Sequence, residues 1–173
     1  MYQFDAKLVR ARTNLIRELQ LTPCASMRHR RVDASHPPNV DMTGSPLAIA
    51  RALHRALEAG KSGAELRQLF TDDARTVEHP NRLKPGGAVT PLEQMLAASQ
   101  AGAQLLSKQT YAVRHELEQG DLAILRLTWT GVIRSAVGPF REGQVLTAQI
   151  AQFIATRDGR IASIETFDCY EPF

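Results

Sequence analysis

The sequence predicts an α+β fold in which three N-terminal helices lie against a strongly curved antiparallel β-sheet. Apolar residues recur at helical spacing between residues 45 and 106, and four long segments of alternating polarity follow residue 109. Each alternating segment has one apolar face, so the helices must cover one side of the sheet to bury it. We therefore expect a cone-shaped sheet wrapped around the helices.

Three segments carry helix start and stop signals. The first begins at Ser45, a good N-cap followed by proline, and ends at Gly60. A short second helix is predicted over Gly63–Phe70. The third begins at Thr90–Glu93, which has the pattern of a capping box with proline at the first helical position, and continues to about residue 106.

The strands follow mostly after the helices. A short strand over residues 74–79 is predicted first, and a proline ends it. Three connections, each of which contains glycine, join the four later strands. These strands are therefore expected to form an antiparallel meander. Their predicted ranges are Gln109–Glu118, Leu122–Arg134, Gln144–Thr156 and Ile161–Tyr170.

Length and composition are those of one globular domain with a tail. The chain has 173 residues, of which 43% are hydrophobic and 23% charged, values that argue against wholesale disorder. No apolar stretch approaches the roughly 18 residues that span a bilayer, and residues 1–30 lack the apolar core of a secretory signal. The sequence therefore predicts a cytoplasmic protein without membrane contact.

The basic pI of about 9.1 comes from the N-terminal segment alone. Residues 1–45 hold seven basic and four acidic side chains, which leaves the remainder neutral. No basic face is therefore expected for binding nucleic acid. The prolines of this segment predict an extension over residues 1–44 that is separate from a domain over residues 45–173. The extension is expected to be partly helical at first and flexible after that. Either translation naturally starts at Met42 and the first 41 residues are an upstream extension, or the segment is a regulatory or docking arm.

Five short segments, taken together, are characteristic of a known superfamily. In them the chain resembles the nuclear transport factor 2-like proteins, in particular the branch with SnoaL-type polyketide cyclases and ketosteroid isomerases. The resemblance covers residues 45–173 and implies a pocket between helices and sheet, but members of the superfamily do unrelated chemistry. The segments are Ala56–Gly60, Leu69–Ala74, Val77–Pro80, Leu127–Gly131 and Phe167–Tyr170.

The comparison with ketosteroid isomerases implies a base at His79. Their general-base aspartate lies in a Val-Glu-Asp-Pro sequence, and this chain has His79 in the aspartate position of Val77–Pro80. Their two oxyanion donors correspond to Leu53 and Ala151, whose side chains donate no hydrogen bond. Since such donors contribute several kcal/mol each, steroid isomerisation is not expected.

The resemblance also sets the strand register of the predicted pocket. It places His79 and Asp168 inward as a catalytic pair, in which the carboxylate fixes the tautomer of the imidazole. No metal or cofactor is expected, because the chain lacks a glycine-rich phosphate loop and paired Cys or His ligands. The residues expected to bind substrate are Trp129, Gln149, Thr147, Tyr170 and Phe153.

Two functions remain open from the sequence. The first is a cofactor-independent isomerase, cyclase, dehydratase or hydrolase that acts on a small apolar or aromatic molecule. The second is a non-catalytic module of the same fold that binds a ligand or dimerises. In either case we expect a homodimer through the convex face of the sheet, because that face is predicted to carry apolar residues among polar ones. The residues placed there are Arg126, Thr128, Thr130, Leu146, Ala148 and Ile150.

Overall fold

The computed structural model describes residues 44–173, so the predicted N-terminal extension lies outside the described residues. Within that range, none of the helices is long and apolar enough to cross a bilayer. The helices are α1 (Pro46–Glu58), α2 (Ala64–Arg67) and α3 (Leu92–Leu105). The strands are β1 (Phe70–Glu78), β2 (Ala88–Pro91), β3 (Leu106–Gln119), β4 (Leu122–Ile133), β5 (Val145–Arg157) and β6 (Arg160–Tyr170).

The six strands form one curved, open sheet in the order β2-β1-β6-β5-β4-β3. Strands β3 to β6 are the antiparallel meander that the sequence predicts. Strand β1 is antiparallel to β2 but parallel to β6, which makes the sheet mixed. The α+β fold with helices against a curved sheet is thus confirmed, and the parallel pair is an addition to it.

Helix α1 forms as the sequence predicts. The Ser45 hydroxyl accepts a hydrogen bond from the backbone N–H of Ala48 at 3.2 Å, and proline occupies the first turn. Gly60 follows the helix with φ +77°, a conformation that glycine adopts without strain. The buried side chains Ile49 and Leu53 fix the face that packs on the sheet.

The predicted starts and ends of the other helices need correction. Helix α2 is only four residues long, and Phe70, predicted to end it, begins β1 instead. The capping box at Thr90 is wrong, because α3 begins after Pro91 with no side-chain cap. Thr90 is instead paired with Thr76 in the short strand β2. The pairing with β1 therefore outweighs the local preference of Thr90 for the start of a helix.

The concave face of the sheet, defined by Leu125 and Leu127 of β4, packs against the helices. On β5 the side chains on this face are Leu146, Ala148, Ile150 and Ile154, all buried. Side chains alternate along a strand, so the even-numbered positions of β5 face the helices and the odd-numbered ones face away. The predicted register of β5 is therefore wrong by one residue, and this apolar set is absent from the convex face.

Candidate functional site

The concave face holds a cavity of about 260 Å³ between the helices and strands β1 and β6. Its polar lining is confined to a few side chains, among them Glu78, Lys84 and Ser99. Ligand sites are typically concave, mostly apolar and equipped with few polar groups, so this cavity is the candidate site. The apolar side chains in its walls are Leu53, Leu57, Phe70, Met95, Leu96 and Ile164.

Glu78 brings a carboxylate to one end of the cavity. It is the last residue of β1, and its Cα partner is Thr166 on the concave face of β6. Its side chain is 15% exposed and forms an ion pair with Lys84 from the following loop. The Asn81 side chain donates a hydrogen bond to Glu78 Oε1 at 2.7 Å, and its own oxygen accepts from the N–H of Lys84 at 2.9 Å. The loop thus holds an ammonium group against the carboxylate.

Asp168 lies on the same face of β6 as Thr166, two residues further along the strand. One of its oxygens accepts a hydrogen bond from the Thr166 hydroxyl at 2.5 Å. Burial raises the pKa of this carboxyl, and the negative charge of Glu78 adds to the increase, while the Thr166 bond and Lys84 oppose it. A carboxyl with a raised pKa keeps its proton to higher pH than an exposed one, which suits it to donate a proton.

Three aromatic side chains share the concave face with Asp168. Trp129 Nε1 and the Tyr111 hydroxyl both donate to Gln109 Oε1, each at 3.2 Å. Tyr170 meets Trp129 edge-on, with ring centroids 6.3 Å apart. Burial is the main cause that raises the pKa of both tyrosines, so both phenols stay protonated at neutral pH. The Tyr170 phenol can therefore donate a hydrogen bond to a ligand oxygen, whereas the single hydrogen of the Tyr111 hydroxyl is already donated to Gln109.

His54 of α1 lies beneath this aromatic group. Its ring is 4% exposed and stacks on Tyr111 with centroids 4.6 Å apart and planes 4° from parallel. Its Nε2 lies 2.9 Å from Gln152 Oε1, an acceptor, so Nε2 carries the hydrogen. Burial lowers the pKa of His54, which keeps the imidazole neutral at pH 7. Its Nδ1 is buried and has no hydrogen-bond partner in the described part of the chain.

The structure does not bring His79 and Asp168 together, so the predicted contact between them is wrong. Glu78 faces the cavity, and its neighbour His79 therefore points to the outer face of the sheet. There His79 Nε2 lies 2.6 Å from Glu165 Oε1. The imidazole also stacks on Phe167, with centroids 3.9 Å apart. The parallel pairing of β1 with β6 fixes this arrangement, and neither strand shows it in its own sequence.

Three of the predicted substrate-binding residues also lie on the outer face, because of the register of β5. Gln149 accepts a hydrogen bond from the Thr128 hydroxyl at 3.0 Å. Phe153 meets Phe167 edge-on at 6.2 Å, and Thr147 is the Cα partner of Thr130.

Of the predicted site residues, only Asp168, Trp129 and Tyr170 lie on the concave face. Four further residues of this face were not predicted as site residues, namely Glu78, Lys84, Tyr111 and Gln109. Glu78 belongs to the same Val77–Pro80 motif as His79, so the motif pointed to the right segment, but it did not show which of the two side chains faces the cavity.

Comparison with known proteins agrees with this architecture. The family model of the SnoaL-like domain matches residues 50–164, whereas a search of curated proteins matches nothing. IdmH of Streptomyces antibioticus, named as a candidate polyketide cyclase, is similar with a TM-score of 0.60 at 23% identity, over 71% of this chain and 91% of its own.

Two further solved structures share the fold. AclR of Streptomyces galilaeus, named as a candidate hydroxylase, gives a TM-score of 0.59 at 12% identity, over 71% of this chain and 77% of its own. A protein of Catenulispora acidiphila with a ketosteroid isomerase-like fold, in complex with trimethylamine, gives 0.51 at 22% identity, over 69% and 83%. At these identities the likeness shows the fold, and it confirms the resemblance found in the sequence.

Proposed function

Because the chain belongs to the SnoaL-like domain family, we propose that it binds a small, largely apolar or aromatic molecule on the concave face and transfers a proton there. The observation that carries the proposal is the apolar cavity with Glu78 and Lys84 in its lining. Asp168 lies on the same face of the sheet, near enough for the charge of Glu78 to help raise its pKa. Its volume of about 260 Å³ lies just below the usual range of about 300–1,000 Å³ for ligand sites, which favours a ligand of one or two rings. The names of IdmH and AclR support small-molecule chemistry on this fold.

The two carboxyl groups have unlike environments, which suits them to opposite roles. Glu78 is paired with the Lys84 ammonium and accepts a hydrogen bond from Asn81, so it is the candidate proton acceptor. Asp168 retains its proton to higher pH because of burial, so it is the candidate donor to a ligand carbonyl oxygen. Asp168 thus remains a candidate catalytic residue, but as a proton donor and not as the partner of His79, and Glu78 takes the place of His79 as the base. The reaction class is a proton shift next to a carbonyl, as in isomerisation or cyclisation.

Ligand binding can be tested by NMR, with Trp129, the only tryptophan of the chain, and Met95 in the cavity wall as reporters. We expect uncharged one- and two-ring carbonyl compounds to shift the Trp129 indole N–H and the Met95 methyl signals. Ala98→Phe should fill the cavity, because Ala98 lines it, and should weaken binding at least tenfold. Ala97→Phe, one position along the same helix and outside the lining, is the matched control. Equal loss in both variants, or no shift with any compound, would argue against the proposal.

The outer face, defined by Arg126, Phe153, Glu165 and Phe167, supports a homodimer. Phe167 is 42% exposed there, and its ring contacts those of His79 and Phe153 on the same face. The face also carries both Arg126 and Glu165, so a second copy related by a two-fold axis can place opposite charges against each other. We propose this face as the contact between two copies, as expected from the sequence, but without the apolar residues of β5 predicted for it.

The dimer is expected to appear in light scattering at micromolar concentration as twice the mass of 19.1 kDa. Phe167→Asp should give the monomer mass, since a charge in the centre of the face disfavours association. Leu83→Asp, at an exposed apolar residue of the loop after β1, is the control and should leave the dimer intact. Cys169 is exposed on the outer face, so in a Cys24→Ser background its thiol should react faster in the Phe167→Asp variant. A monomeric wild-type protein would refute the interface.

A further inference from the structure

We propose that Arg82 is a positioning residue for the base of the site, because it fixes the loop that keeps the Lys84 ammonium against the Glu78 carboxylate. Arg82 is exposed and lies outside the cavity lining, so it acts through Lys84 and does not touch a ligand. The inference rests on the proposed function, in that it concerns the same pair of charges. The loop that carries Arg82 and Lys84 joins β1 to β2 and spans residues 79–87.

Part of this loop forms one compact turn. The Asn81 side-chain oxygen accepts hydrogen bonds from the backbone N–H groups of Leu83 and Lys84, both at 2.9 Å. The backbone N–H of Asn81 donates to the oxygen of Lys84 at 3.0 Å, and that of Gly87 donates to the same oxygen at 2.9 Å. These bonds hold Arg82 and Lys84 in one unit, so a contact that fixes Arg82 also fixes the backbone of Lys84.

The ion pair with Glu78 is a weak attachment for this turn. The Lys84 side chain is 49% exposed, and a pair that is open to water stabilises little, because water competes for the charges and the long side chain must be held in one conformation. Asn81 adds one hydrogen bond from the turn to Glu78. A second attachment outside the cavity would therefore contribute much of what keeps the turn in place.

Arg82 supplies this attachment through two contacts with Phe173. Its Nη2 donates a hydrogen bond to the backbone oxygen of Phe173 at 3.1 Å, and its Cζ lies 4.6 Å from the centroid of the Phe173 ring. A guanidinium donates hydrogen bonds within its plane and stacks with its face, so it can make both contacts at once. The side chain thus attaches the turn to Phe173 in a defined orientation.

Phe173 is in turn attached to the sheet. Its ring meets that of Tyr170 edge-on, with centroids 6.3 Å apart, and its centroid lies 5.4 Å from that of Phe140 in the loop between β4 and β5. Tyr170 is the Cα partner of Ala148, a fully buried residue of β5. A continuous series of contacts therefore connects the sheet to the turn.

The position of Lys84 can be measured without ligand, from the rate at which acetic anhydride acetylates it, read by mass spectrometry of its peptide. We expect Arg82→Ala and Phe173→Leu each to raise this rate about threefold, since both release the turn and expose the ammonium. Phe173→Tyr keeps the ring and should keep the wild-type rate. Lys61, exposed after α1, is the internal reference, and Arg160→Ala, at the exposed start of β6, is the control for the loss of charge.

The effect on the site is measured with cyclohexanone as the probe, from the exchange of the hydrogens next to its carbonyl for deuterium in D₂O. We expect Arg82→Ala to slow this exchange about tenfold, because the Glu78 carboxylate loses the ammonium that orients it. In a Lys84→Met background Arg82→Ala should have no further effect, because Arg82 acts through Lys84.

An unchanged acetylation rate in Arg82→Ala, or equal slowing of the exchange in both backgrounds, would overturn the inference while the proposed function stands. A wild-type protein that exchanges no hydrogen of cyclohexanone would count against the proposed function instead. The acetylation rates would in that case still decide whether Arg82 fixes Lys84.

Discussion

Asp168→Asn is expected to raise the melting temperature at pH 7 and to abolish proton transfer at the same time. The pKa of Asp168 is raised in the folded state, so the folded protein binds more protons than the unfolded chain between the ordinary value of 3.8 and the folded value. The stability that Asp168 contributes is therefore full at low pH and is lost as pH rises through that window. Asparagine cannot ionise, so it avoids this loss, and its oxygen still accepts the Thr166 hydrogen bond.

A gain is expected at pH 7, and it should vanish well below pH 3.8, where the wild-type carboxyl is protonated in both states. Turnover of any substrate should fall by about 10²–10⁴, the usual contribution of a positioned acid or base. Asp121→Asn, in the exposed turn between β3 and β4, is the control, and it should change neither quantity. Melting temperatures of the wild type and Asp168→Asn, recorded from pH 3 to 8, measure the effect. A lower melting temperature of the variant at pH 7 would contradict the burial of this carboxyl.

His54→Ala is expected to destabilise the protein by about 2–4 kcal/mol, the usual cost of removing a large buried side chain. The ring is 4% exposed, so the substitution removes its stacking on Tyr111 and the hydrogen bond to Gln152. Urea unfolding at pH 7.5 measures the change. His115→Ala, at an exposed position of β3, should stay within about 0.5 kcal/mol of the wild type and serves as the control.

The pH dependence of His54 has the opposite sign to that of Asp168. The folded pKa of His54 is lowered below 6.5, so the unfolded chain binds the proton first as pH falls. The stability from keeping this imidazole neutral is full above pH 6.5 and is lost as pH falls toward the folded value. We expect the wild type to lose unfolding free energy relative to His54→Phe as pH falls through that window, and the difference between them to be constant above it. A constant difference from pH 7.5 to 5 would show that His54 titrates as an exposed histidine does.

The meander of four strands was predictable because its signals are local. Each strand ends at a polar turn, and long alternating segments between such turns have few other ways to bury their apolar side chains. The parallel pairing of β1 was not predictable in the same way, because it joins residues far apart in sequence, such as Val77 and Glu165. A single sequence holds no signal for the partner of a strand at that distance.

The candidate site was predictable only in part, and the reason is the register of two strands. In β5 both faces carry apolar residues, such as Phe153 on one side and Ile154 on the other, so alternation alone does not select the inward set. The same holds at the end of β1, where Val77 and His79 share the outer face with Phe167. Trp129 was placed correctly because β4 has one clearly buried side, and Asp168 was placed by the strand register that the family resemblance implied.

The parallel pair of β1 and β6 also has a consequence for synthesis on the ribosome. The Thr71 hydroxyl of β1 hydrogen-bonds the backbone oxygen of Ile161, 90 positions later. A nascent chain emerges from its N-terminus, so the apolar side chains Phe70 and Ala74 leave the exit tunnel long before Ile161 and Ile164 arrive to cover them. Contacts of such long range also slow folding, because the intervening loop must close first. The apolar side chains of β1 therefore stay uncovered by β6 until the end of the domain has been made, and a chaperone could protect them in that interval.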